Sequence, residues 1–202
     1  DLLENFNRIK FRGPDSSKLI SVDNVVLGFH RLSINDISEN GMQPFINDGV
    51  YLICNGEIYN HKELYNNFLS SSYELKSNSD CEVIIHLYKL FGIERTCQLL
   101  DGVFSFVLYD SLKKTIFVAR DPYGVRPLFI GKTDNNEYFF SSEMKAIHDK
   151  CSNVKQFDSG SYLEYNCDVF NIKKFHELKN KNLYDKNFNE EICSCIRNLL
   201  IK

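Results

Sequence analysis

An α+β layered sandwich is the fold class this sequence predicts, on three observations. Short apolar runs follow one another from Val103 to Tyr165, separated by Asp-, Asn- and Gly-rich turns and not by helices, which favours antiparallel sheets over a doubly wound parallel one. The secure helical periodicities flank these runs instead of alternating with them. The chain has 202 residues, enough for one ordinary domain with a core and a tail, and its 43% hydrophobic and 25% charged residues are those of a globular protein.

The elements follow in order. Leu2, Leu3, Phe6 and Ile9 share a helical stripe, so the chain opens with a helix over Asp1 to Lys10, and Phe11 to Ser17 reads as a loop. Val25 to Leu32 and Val50 to Cys54 predict strands, with a turn-rich stretch from Asn35 to Gly49 between them. A helix is expected from Asn60 to Phe68. Ser79 followed by Glu82 fits a capping box, and Val83, Ile84, Leu87, Leu90 and Phe91 continue a helix to Gly92. A short helix over Ile93 to Leu100 precedes strands at Val103 to Tyr109, Thr115 to Ala119, Leu128 to Ile130, Tyr138 to Ser141 and Ser161 to Tyr165. Asn171 to Asn187 reads as a Lys- and Asn-rich linker, and Phe188 to Leu200 as an amphipathic helix whose partner is not in the chain. The expected division is a domain over 1–170 and, over 171–202, a linker with the first helix of a following domain.

A net charge of −3 offers no whole-chain basic field for nucleic acid or an anionic membrane, and no apolar stretch approaches a bilayer span. Seven cysteines without a CxxC pair suggest neither a disulfide framework nor a zinc ribbon, and reduced intracellular thiols are expected. No internal repeat or phosphate-binding GxxxxGK loop is present.

The residues that could carry chemistry are individually ordinary. Asn55-Gly56 reads as a tight turn, or as an amide and a backbone N–H aimed at one oxyanion. Arg31 reads as a solvated strand-edge residue, or as a fork for a carboxylate. Ser79-Asp80 reads as a helix start, or as a seat for an ammonium group. Glu57 reads as a surface carboxylate.

Their wording in sequence is specific. Arg12-Gly13-Pro14-Asp15, Phe29-His30-Arg31-Leu32-Ser33-Ile34, Gly41-Met42-Gln43-Pro44, Cys54-Asn55-Gly56-Glu57-Ile58-Tyr59-Asn60-His61, Ser79-Asp80-Cys81-Glu82-Val83-Ile84, Leu100 to Phe106, Arg120 to Leu128 and Ser142-Glu143-Met144-Lys145 closely resemble the glutaminase domain of glutamine-hydrolysing asparagine synthetases, from about Phe11 to about Tyr165. The resemblance implies a class II glutamine amidotransferase of the N-terminal-nucleophile type, a four-layer αββα sandwich of two antiparallel sheets, here lacking its first strand. It implies an N-terminal cysteine nucleophile whose α-amino group, titrating at about 7.7 to 8.0, carries the proton. It gives Asn55 and Gly56 the oxyanion-hole role, Arg31 the glutamine α-carboxylate, Glu57 and Asp80 the α-ammonium, and the backbone of Leu32, Ser33, Ile34 and Asn35 the pocket lining. Arg120 to Leu128 receives no chemical role, because a β-turn with a satisfied Arg accounts for it.

The sequence begins at Asp1, so the nucleophile is expected upstream; Cys54 reads as a buried strand residue and not as its substitute. The stretch by itself is expected to bind glutamine without hydrolysing it. The expected partners are glutamine and a C-terminal synthetase domain, with ATP and Mg²⁺ used there and no cofactor or metal in this chain. A cytoplasmic setting is expected, and a homodimer is left open. The alternatives are a catalytically silent glutamine-binding protein of this fold, or another class II amidotransferase.

Overall fold

The computed structural model describes residues 1–177 and 190–201. Its centre is a six-stranded antiparallel sheet in the order β11-β10-β6-β5-β4-β3, made of β3 (Phe45–Asn47), β4 (Val50–Ile58), β5 (Gly102–Asp110), β6 (Thr115–Arg120), β10 (Ser161–Tyr165) and β11 (Phe170–Lys174). Strand alternation divides its side chains between two cores. Leu52, Cys54, Ile58, Phe104, Phe106, Leu108, Phe117 and Tyr162 face α3 (Val83–Leu99), packing with Val83, Ile84, Leu87 and Tyr88. Val107, Val118 and Leu163 face the other way, onto Leu27, Leu128, Ile130 and Phe157 of a second layer. With both faces covered, β5 is buried without interruption from Phe104 to Asp110.

The second layer has two parts, a hairpin of β1 (Ser16–Val22) with β2 (Val25–Arg31), and a three-stranded sheet in the order β8-β7-β9, of β7 (Phe129–Lys132), β8 (Tyr138–Ser141) and β9 (Asn153–Gln156). Among the described residues no ladder joins the two parts. Outside this layer lies α1 (Leu2–Asn7), with Phe6 stacked on the His30 ring at 3.8 Å, while Leu27 on the opposite face of β2 points into the interlayer core. The layers run α3, sheet, sheet, α1, which is the expected αββα order.

Several expectations hold to the residue. The strands at Tyr138–Ser141 and Ser161–Tyr165 are as read, and α3 breaks at Gly92, whose φ of 75° and ψ of 175° separate the two helical stretches. The helix after Asn60 is α2 (His61–Leu64), running into a π-type turn over Tyr65–Leu69. Four corrections concern short or mostly exposed strands. The loop read over Phe11 to Ser17 gives way at Ser16 to β1, which is mostly exposed. The turn-rich stretch before Gly49 contains β3, and β9 is the polar run Asn153–Gln156. The linker expected from 171 is instead β11 as far as Lys174, lying on the surface and paired with β10, so the boundary at 170 falls inside a strand. Edge strands such as these are specified by the free ladder groups of their neighbour and not by their own hydrophobicity. The remainder of that linker, from 178 onward, and Phe188 lie outside the described residues. The final helix is α4 (Glu190–Leu200).

Candidate functional site

Arg31 ends β2, and its side chain is folded back into the loop that follows. Nη1 donates to the Ser38 carbonyl at 2.7 Å and Nη2 to the Asp36 carbonyl, leaving the residue 7% exposed. The solvated-edge reading of Arg31 is thus wrong: the guanidinium is buried against carbonyl dipoles. Among the described residues it has no carboxylate ion pair. A guanidinium has five N–H donors, so some remain for an anion.

The loop from Leu32 to Asn35 is pinned from both sides. The Asp15 carboxylate accepts from the Ser33 N–H at 2.7 Å, and the Asp15 N–H donates to the Arg31 carbonyl at 3.1 Å. This gives the Arg12-Gly13-Pro14-Asp15 wording a local task. At the other end Asn35 donates through Nδ2 to Asp80 Oδ1 at 2.8 Å. Leu32 and Ile34 between them are exposed.

Asn55 and Gly56 are not a turn. Both lie inside β4, opposite Ser105 and Phe104 of β5. Glycine is required at 56 by close approach: a Cβ there would stand 2.4 Å from the Val103 carbonyl oxygen and 2.7 Å from the Phe104 Cα. Alternation puts Asn55 and Glu57 on the sheet face turned toward the second layer, where Asn55 Nδ2 makes a long 3.4 Å bond to Ser142 Oγ beyond β8. Glu57 is exposed and has no ion pair among the described residues. The residue before the pair is locked by buried Gln43, whose amide accepts from the Cys54 N–H at 2.6 Å and donates to the Cys54 carbonyl at 3.2 Å, extending the ladder past the short β3.

Asp80 starts the single 3₁₀ turn Asp80–Glu82 that leads into α3. It is 4% exposed, and its second oxygen accepts from the Ile58 N–H at 2.6 Å, two residues beyond Gly56. The capping box is half formed. Ser79 accepts from the Cys81 N–H, but Glu82 turns away to accept from the Lys76 and Ser77 N–H groups at 2.9 and 2.8 Å and from Ser77 Oγ at 2.5 Å. Burial pushes the Glu82 carboxyl up, but the His86 ring 3.7 Å away and these donors outweigh it, holding the group below its ordinary range. Asp36, absent from the residues singled out in sequence, accepts from the Ser38 and Asn78 N–H groups, each at 2.8 Å. Those bonds, aided by the nearby Arg31 charge, keep its carboxyl below the usual carboxylate range against the effect of burial.

The structure thus ties Arg31, Leu32 to Asn35 and Asp80 to the Gly56–Ile58 end of β4, with Asn55 and Glu57 on the inward face of the same strand. Asp36, Asn78, Gln43 and Ser142 are the supporting residues that sequence reasoning missed; of these, only Gln43 and Ser142 stood inside quoted motifs. Arg120-Asp121 is a structural clamp. The Arg120 guanidinium donates to the carbonyls of Arg126, Phe157 and Gly124 at 2.8, 2.7 and 2.6 Å, and Asp121, fully buried, accepts from four N–H groups, those of Phe104, Tyr123, Val125 and Arg126. Cys54 is buried in the core facing α3, and contact with Cys54 together with burial pushes the Cys81 thiol up, so neither thiol suits nucleophilic work.

A family model described as a glutamine amidotransferase domain matches residues 1–184. The chain is 41% identical over 161 residues to an asparagine synthetase [glutamine-hydrolyzing] of Triphysaria versicolor, covering 79% of this chain and 27% of that protein. It is 40% identical over 163 residues to asparagine synthetase B [glutamine-hydrolyzing] of Escherichia coli (strain K12), covering 80% of this chain and 29% of that one. It therefore spans under a third of the curated relatives it matches. Among solved structures, glutamine phosphoribosylpyrophosphate amidotransferase from B. subtilis superposes with a TM-score of 0.65 at 24% identity over 76% of this chain and 35% of that one, a likeness of fold. With the family model spanning most of its length, and with the fold in agreement, the chain belongs to the glutamine amidotransferase domain family.

Proposed function

We propose that this chain is the glutamine-hydrolysing part of a larger enzyme that makes asparagine. Glutamine and water become glutamate and ammonia here, and the ammonia passes to a synthetase part that uses ATP and Mg²⁺ to activate aspartate. What carries the reading is that a cation and a carboxylate far apart in sequence, Arg31 and Asp80, are tied into one hydrogen-bonded group beside Asn55-Gly56. A free amino acid presents a carboxylate and an ammonium, and these two signs answer it.

In this reading Arg31 takes the α-carboxylate through its remaining donors, while Asp80 and the exposed Glu57 take the α-ammonium. The backbone of Leu32 to Asn35 walls the pocket. The nucleophile is the family's N-terminal cysteine, supplied from outside residues 1–202. Its thiolate attacks the side-chain amide carbon, and the oxygen of the tetrahedral intermediate receives the Asn55 amide and the Gly56 N–H. The C–N bond breaks as the thioester forms, the nitrogen taking a proton from the cysteine's own α-ammonium and leaving as ammonia; water, giving a proton back to that amine, then releases glutamate and frees the thiol. Seven unpaired cysteines support a reducing, cytoplasmic setting. No described helix is long and apolar enough to cross a membrane.

The test uses the full-length protein. Arg31→Ala is expected to abolish glutamine-dependent synthesis at ordinary glutamine levels and to leave ammonia-dependent synthesis intact; equal loss of both overturns the assignment. Asn55→Ala is expected to lower glutaminase turnover roughly 100- to 1000-fold with little change in glutamine affinity.

A further inference from the structure

We propose that Asp36 is a positioning residue that sets the span between Arg31 and Asp80, and so fixes recognition of the amino-acid head group without touching it. The inference rests on the glutamine-site reading and adds a residue to it.

The argument is one of connectivity. The two segments 35–36 and 78–80 are joined by crossing hydrogen bonds: Asn78 N–H to Asp36 Oδ2, and Asn35 Nδ2 to Asp80 Oδ1, each at 2.8 Å. Together they close a ring through the chain. Asp36 is its node, because its own carbonyl accepts from Arg31 Nη2 while its other carboxylate oxygen accepts from the Ser38 N–H. One residue thereby holds the proposed cation by its main chain and the segment carrying the proposed anion by its side chain. There is no slack around it, since a Cβ on Gly41 would fall 2.4 Å from Arg31 Nη2 and 2.8 Å from the Asp36 Cβ.

The segment before Asp80 depends on side-chain acceptors. The N–H groups of Lys76 and Ser77 go to Glu82, that of Asn78 to Asp36, and that of Ser79 to Ser77 Oγ. Within it, only the Asn78 bond reaches back to the Arg31 loop. Without that bond Asp80 keeps its anchors on Ile58 and Asn35, but Asp36, whose carbonyl holds Arg31, is released from the segment, and the Arg31–Asp80 span rests on the Asn35 bond alone. A ligand bearing both head-group charges depends on that distance; a ligand with the carboxylate alone can follow Arg31 wherever it settles.

The experiment titrates L-glutamine and glutaramate, which is glutamine without its α-amino group, by calorimetry into the full-length protein carrying alanine at its N-terminal cysteine, so that neither amide is hydrolysed during the titration. On that background native Asp36, Asp36→Ala and Asp36→Asn are compared at a temperature where thermal scans show each folded. Asp36→Ala is expected to weaken glutamine roughly tenfold or more, and glutaramate by clearly less, so that the preference for glutamine falls. Asp36→Asn has a single acceptor oxygen for two N–H groups and is expected to lie between; it also supplies the answer if the alanine variant does not fold. A lowered melting temperature with an unchanged preference means that Asp36 only stabilises the loop, and overturns the inference alone. A full-length protein with native Asp36 that takes up no glutamine overturns the functional reading and this inference with it.

Discussion

Replacing Asp80 by Asn separates its structural bonds from its charge. In the native chain one carboxylate oxygen accepts from the Ile58 N–H at 2.6 Å and the other from Asn35 Nδ2 at 2.8 Å. The asparagine variant keeps one carbonyl oxygen for Ile58, a fully buried residue whose N–H cannot be left unpaired without a cost of about 1–3 kcal/mol. The new amide nitrogen then faces Asn35, which can rotate its own amide to present oxygen. Both bonds survive in altered form, and the loss is limited to the charge on these bonds and its interaction with the start of α3, the latter about 0.3–1 kcal/mol. Urea unfolding is therefore expected to move by no more than about 1.5 kcal/mol. Glutamine binding loses a charge-assisted hydrogen bond to its ammonium, about 1.5–3 kcal/mol, which is roughly 10- to 150-fold in Kd. Screening does little to soften that loss at a group 4% exposed. Calorimetric titration of glutamine and urea melts on the same preparation read the two quantities. An unchanged Kd refutes the ammonium role, and a stability loss much above 2 kcal/mol refutes the amide exchange with Asn35.

Three other perturbations follow from the same geometry. Gly56→Ala places a methyl 2.4 Å from the Val103 carbonyl and is expected to cost about 1–3 kcal/mol in urea unfolding, as β4 and β5 are forced apart; a neutral result means the ladder has room there. Asp121→Ala strands four N–H groups and is expected to cost more than about 3 kcal/mol, with glutamine affinity of the folded protein changed less than about twofold. Weakened binding without lost stability contradicts the clamp. Asp36 and Glu82 are both held below their ordinary values in the fold, so the stability they contribute is present above the unfolded carboxylate range near about 4 and is lost as pH falls through the folded values. Unfolding free energy is expected to be level from pH 6 to 8 on their account and to fall in acid, with a shallower acid limb in Asp36→Asn and Glu82→Gln measured by urea melts at each pH; an equally steep limb contradicts the assignment.

The α+β class, the limits of β8 and β10 and the break of α3 at Gly92 were legible in sequence because each rests on local apolar periodicity or on a glycine that ends it. The candidate site residues were legible in another way, through the specific order of short motifs; periodicity alone left Arg31, Asn55-Gly56 and Asp80 open between structural and functional readings. Tertiary structure decided the rest. Asn55-Gly56 lies in mid-strand because β5 approaches too closely for any Cβ at 56, and nothing within residues 50–58 records that approach. Glu82 serves Lys76 and Ser77 in place of the helix start, Gln43 extends the ladder at Cys54, and Asp36 reaches Asn78, because those donors were the ones left facing each acceptor after packing. A buried acceptor must find a donor, and the sequence names the acceptor while only the folded chain supplies its partner. The same holds for β1, β9 and β11, mostly exposed strands that exist because a neighbouring strand offers its free N–H and C=O groups.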